Sequence, residues 1–180
     1  SVQIVFSYGQ WQYIPELADL ADTKLMYKTS TSDTFSCSTS SFTQGLLLNL
    51  TYPSTPQCFP ATHTITIGPN DRSVYWMFNK GTFPTFFFAD NVEIYLNGCI
   101  CGPGACVTQL NQNFGTTFQT GTVCTLFPGT FESCAGNGPY ISSGTACGGA
   151  GDYVMTFGTG LPYSEATLRC LNLTGAAQAS

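Results

Sequence analysis

The chain has 180 residues, of which only 8 % are charged, five basic against ten acidic. A net charge of -5 with so few cations excludes a protein that tracks nucleic-acid phosphates, and equally a polybasic reader of membrane surfaces, since both need a Lys/Arg patch. An apolar content of 43 % with 14 % aromatics is enough to build a core and excludes a disordered chain.

In chain order, strand signals dominate: short β-branched and aromatic runs bounded by Gly, Pro, Asn and Ser. Val2–Phe6 opens as an apolar segment with Val2, Ile4 and Phe6 on one face, and Trp11–Ile14 follows. Pro15–Met26 is the one predicted helix. Pro15 suits a first helical position, Glu16, Asp19 and Asp22 come early and Lys24 and Lys28 late, as a helix dipole prefers. Further strands are predicted at Leu46–Tyr52, Thr62–Ile67, Val74–Phe78, Thr85–Ala89, Val92–Leu96 and Val107–Leu110, then at Val123–Phe127, Tyr153–Phe157 and Thr167–Leu173. The alternation of Thr62 to Ile67 puts His63, Ile65 and Ile67 on one face and the threonines on the other, and Gly68-Pro69-Asn70-Asp71 reads as a turn. In Phe86-Phe87-Phe88 the outer two rings share a face and Phe87 takes the other. The glycine-rich stretch from Gly136 to Gly151 reads as a loop pinned by a disulfide at Cys147. Strands at this spacing predict a mostly β fold: a disulfide-stabilised antiparallel β-sandwich or jelly roll with one short helix. No internal repeat or linker divides it, so residues 1–180 read as a single secreted β domain, with 1–7 as a strand-exchange arm and 175–180 as an extended tail.

Nine cysteines are present: Cys37, Cys58, Cys99, Cys101, Cys106, Cys124, Cys134, Cys147 and Cys170. That density predicts disulfides formed in an oxidising compartment, with one cysteine of the odd number left unpaired. Cys99 and Cys101, at i and i+2, are expected to reach different partners, and no metal site is expected, because Cys-x-Cys-x4-Cys is not a zinc-knuckle spacing. Two acceptor motifs, Asn49-Leu50-Thr51 and Asn172-Leu173-Thr174, are candidate N-glycosylation sites. The chain opens at Ser1 with no Met and no charged leader, which reads as a mature protein after signal-peptide removal. No apolar run approaches the ~18 residues that span a bilayer, so no membrane insertion is expected.

Catalytic constellations are thin. His63 is the one histidine, no Gly-x-Ser-x-Gly elbow is present, and its strand parity makes it a half-buried structural group. Asp90, Glu93, Glu132, Asp152 and Glu165 are the carboxylates from which a glycosidase pair would have to come. Gly102-Pro103-Gly104 lacks the third glycine and the helix of a phosphate cradle, and no cofactor is expected. Trp11, Tyr13, Tyr75 and Trp76 are the candidate sugar or partner contacts. The leading expectation is a non-enzymatic extracellular structural protein that assembles with copies of itself, as a filament or surface-layer subunit. Val2, Ile4 and Phe6 would add their strand to a neighbour. The alternatives are a secreted carbohydrate- or host-surface-binding module, with glycans as partners, and a small secreted hydrolase.

Overall fold

The computed structural model describes residues 1–12, 23–31, 42–48, 58–81, 85–96, 107–136, 139–143, 147, 151–157 and 164–173. Among the described residues, twelve strands and one helix follow in the order β1 (Val2–Gln12), β2 (Thr23–Ser30), β3 (Thr43–Leu47), β4 (Cys58–Ile65), β5 (Ser73–Lys80), β6 (Thr85–Leu96), β7 (Val107–Gln112), α1 (Val123–Leu126), β8 (Phe131–Gly136), β9 (Tyr140–Ser143), β10 (Tyr153–Phe157), β11 (Ser164–Leu168) and β12 (Leu171–Asn172). They form two antiparallel six-stranded sheets. The first runs β4-β1-β6-β10-β9 with β7 also on β6, and the second runs β3-β2-β5-β11-β8 with β12 also on β5. One apolar cluster joins them: Phe6 of the first sheet meets Phe78 of the second edge-on at 5.1 Å, and Phe87 packs 6.2 Å from Phe78. The expected β-sandwich is what the chain forms.

Strand periodicity explains the layers. In β4, Thr62 and Thr64 are exposed, His63 is half-buried and Ile65 is buried, as the alternation requires. In β6, Phe87 is buried in the core while Phe86 and Phe88 stack on the opposite face, 6.4 Å apart. The turn after β4 closes as predicted, with the Asp71 N–H donating to Gly68 O at 3.1 Å and the Gly68 N–H donating to the Asp71 carboxylate at 2.7 Å. A bulge interrupts β6: Val5 faces Glu93 but Ser7 faces Asp90, and Asn91 takes a left-handed φ of 51° to absorb the extra residue. There the second neighbour of β6 changes from β10 to β7.

Several expectations are corrected. Thr23–Met26, predicted as the end of a helix, lie in β2, which pairs with β5 along all eight of its residues. Leu25 is buried between half-exposed Lys24 and Met26, a period of two that cross-strand pairing favours over the charge order. The remainder of Pro15–Met26 lies outside the described residues. The short helix instead occupies Val123–Leu126, predicted as strand, where the Phe127 N–H returns to Val123 O at 2.8 Å. The glycine-rich stretch contains β9, paired with β10.

The N-terminal expectation changes most. Val2, Ile4 and Phe6 are buried, but inside their own chain: β1 lies between β4 and β6, with Val2 opposite both Ile65 and Leu96. Paired along both edges, β1 is an interior strand and not an arm offered to a neighbour. Burying the three side chains contributes roughly 1.5–3 kcal/mol each to this domain.

Candidate functional site: two flanks of the sandwich

The seam between β3 and β4 is built around His63. Its ring accepts a hydrogen bond at Nδ1 from Trp76 Nε1 (3.2 Å), and the Tyr27 ring lies 5.2 Å away. An Nδ1 that accepts leaves the proton on Nε2, so this imidazole is neutral. Burial pushes its pKa below the usual 6.5, in the same direction. A Cβ on Gly45 of β3 would stand 2.8 Å from His63 Cε1 and 2.9 Å from Nε2, so the two edge strands close on the ring with no room for a side chain. Gly45→Ala is therefore expected to destabilise by about 1–3 kcal/mol, as overpacking does, because the ring is tied to Trp76 and cannot swing away. Urea denaturation checks this, and an unchanged midpoint would show that the seam is loose.

Neither β3 nor β4 contains an Asp, Glu, Lys or Arg, and among the described residues each pairs on one side only. Each exposes a large apolar side chain, Leu47 (54 %) on β3 and Phe59 (37 %) on β4. Pro60 is the one residue there that blunts a sheet edge.

On the opposite flank, β9 ends the first sheet and β8 the second. A cleft of ≈ 500 Å³ opens here between residues 118–121, β9 and the start of β10. Phe118, Tyr140 and Tyr153 supply rings; Gln119, Ser142 and Ser143 supply polar groups. Thr122 bridges Tyr140, and the Val123 N–H donates to Pro139 O at 2.8 Å. Just behind, Cys124 of α1 is bonded to Cys134 of β8. Gly121 sits at φ +139°, a conformation that favours glycine. No sequence signal assembled this site, because residues 118–121 and 140–143 read as polar loop, and nothing in the predicted strand at Tyr153–Phe157 pairs it with them.

No carboxylate lines the cleft or lies in β3 or β4, although Asp90 and Asp152 are near enough for their charges to interact. Asp90 has no exposed surface; its oxygens accept from the Asn91 N–H (2.7 Å), Asn91 Nδ2 (3.1 Å) and the Phe114 N–H. Glu93 instead takes hydrogen bonds from the Tyr95 hydroxyl and from Asn111 Nδ2. Asp152 accepts from the Tyr153 N–H, Glu165 from Asn79 Nδ2, and Glu132 is exposed. Among the described residues, no group of three or more His, Cys, Asp or Glu could hold a metal ion.

Of the candidate contacts, Tyr75 and Trp76 are corrected: neither has any exposed surface. Trp76 faces the core. Tyr75, on the other face of β5, is covered edge-on by Phe42 at 5.0 Å, with Lys28 Nζ 5.9 Å from its ring centroid. Trp11 stands in β1 opposite Phe86, and Tyr13 lies outside the described residues. Asn172 stands in β12 opposite Ser73, while Asn49 lies outside the described residues.

Cysteine pairing is present as expected. Cys58 is bonded to Cys147 and Cys124 to Cys134, and Cys170 is buried. Cys37, Cys99, Cys101 and Cys106 lie outside the described residues. The two disulfides point to an oxidising compartment, and no described helix is long and apolar enough to cross a membrane. Against known proteins, no family model matches the chain, and no curated protein or solved structure matches it either.

Proposed function

We propose that the chain is a secreted, non-enzymatic structural subunit that associates with copies of itself through the β3–β4 flank. The observation that carries this reading is the pair of charge-free edge strands on one side of the sandwich, each exposing a large apolar side chain. A sheet edge presents a row of unpaired N–H and C=O groups, and monomeric proteins defend such edges with Lys or other charges. β3 and β4 carry no such charge, so a second copy can add a strand there and cover Leu47 and Phe59 as it does so. The donor is not β1, which is committed to its own sheet. The low charge density supports the reading, since little self-repulsion opposes association. Glycans on Asn49 and Asn172 belong to the same reading of a secreted subunit.

Leu47→Lys combined with Phe59→Lys places a charge on each edge at positions already in contact with water. Expected is a variant that keeps the wild-type circular dichroism and elutes as a 19.3 kDa monomer, while the wild type elutes as a higher multiple. A wild type that is itself monomeric, or a variant that assembles as the wild type does, would count against the proposal.

A further inference from the structure

The opposite flank has a different chemistry. We propose that the cleft between residues 118–121, β9 and β10 is a binding site for a neutral saccharide, held by ring stacking and by hydrogen bonds to uncharged groups.

The cleft combines two kinds of surface in one concavity. Phe118 is 60 % exposed and Tyr140 38 % exposed, and the Phe118 and Tyr153 rings lie 6.1 Å apart, inclined at 46°. Ser143 shares Tyr153's face of the β9–β10 pair and Gln119 lies on the facing segment, while Tyr140 and Ser142 complete the lining from the strand's other face. A sugar ring has the matching pair of surfaces, an apolar C–H face and a hydroxyl rim. A purely apolar ligand would leave the amide and hydroxyls dehydrated and unpaired, at a cost. A phosphate- or sulfate-bearing ligand would need a cation, and none lines the cleft of a protein whose net charge is -5. The volume of ≈ 500 Å³ falls in the range of ordinary small-ligand sites, about 300–1,000 Å³.

The walls are also fixed before a ligand arrives. The Thr122–Tyr140 bridge holds the 118–121 segment to β9, and the Cys124–Cys134 disulfide anchors the helix that follows that segment to β8. The Tyr153 N–H donates to Gly115 O at 3.0 Å, which ties β10 to the root of the 118–121 segment. Ser142 Oγ is already hydrogen-bonded to Thr156 Oγ1, so its orientation is set. Such preorganisation lowers the entropy cost of binding and suits a weak, stacking-based ligand.

The test is a panel of neutral oligosaccharides (glucan, mannan, galactan and chitin fragments) examined by saturation-transfer NMR and calorimetry against the full chain. Expected is binding of at least one of them, with little dependence on sodium chloride because no ion pair is made. Phe118→Ala and Tyr140→Ala, both at exposed positions, should each weaken it about three- to ten-fold. The Leu47→Lys, Phe59→Lys variant should bind as the wild type does, which separates this site from the assembly flank. No binding by any neutral fragment, binding that survives both aromatic substitutions, or binding lost in the β3–β4 variant would overturn the proposal.

Discussion

Replacing Cys58 and Cys147 with serine should lower stability by about 4–5 kcal/mol, whereas replacing Cys124 and Cys134 should cost about 3 kcal/mol. The first bond closes a sequence separation of 89 residues and the second one of 10, and a longer loop leaves more freedom to the unfolded chain when the bond is absent. The first also joins segments that are remote in the sheet's strand order. Cys58 begins β4 and Cys147 follows β9, the strands at opposite ends of the first sheet. For a chain of this length the difference appears as a fall in melting temperature of roughly 12 °C for the first pair and roughly 7 °C for the second. Thermal denaturation of both double variants, followed by circular dichroism, checks it. A Cys58/Cys147 variant that loses less than the Cys124/Cys134 variant would mean that the long bond does not restrain the unfolded chain as chain entropy requires.

Asp90 should make the domain less stable at neutral than at acid pH. Burial raises its pKa from 3.8 to about 6; the nearby Asp152 charge adds to the rise, and the Asn91 and Phe114 N–H groups oppose it. Between those values the folded chain holds a proton that the unfolded chain has released. The contribution is therefore fully present below pH 3.8 and lost as the pH rises through 6, a change of about 3 kcal/mol. His63 has the opposite sign. Its pKa is depressed on folding, so its contribution is complete above 6.5 and declines as the pH falls below that value. Asp90→Asn removes the first effect together with its coupling to Asp152, while His63 stays in both proteins. Urea unfolding at pH 4, 5, 6 and 7 should show the difference in stability between wild type and variant moving by about 2 kcal/mol in favour of the variant as the pH rises. A difference independent of pH would place the Asp90 carboxyl in contact with water.

The layers of this fold are legible wherever one face of a strand is wet. The period of two in β4 puts His63 and Ile65 inward before any coordinates are seen, and the split of Phe87 from Phe86 and Phe88 follows in the same way. The rule fails where neighbours decide. β5 is buried on both faces, so no local pattern could tell that Tyr75 and Trp76 are both covered. Lys24 and Lys28 mimic the end of a helix, yet they belong to a strand whose pairing with β5 outweighs a weak local propensity. At Val123–Leu126 the reverse occurs: β-branched residues form a helical turn that Cys124 pins to β8. Val2, Ile4 and Phe6 were recognisable as core-facing, but whether a terminal strand serves its own sheet or a neighbour's depends on whether both of its edges find partners at home, and here β4 and β6 supply them. The cleft was invisible in the sequence because β9 lies in a stretch whose glycines and serines read as loop.

Electron microscopy of the wild-type protein tests the assembly reading most directly. Fibres or layers are expected, with the contact between subunits on the β3–β4 flank and with Leu47 and Phe59 covered in it. Isolated 19.3 kDa particles at every concentration, or an assembly in which both side chains remain in water, would contradict it.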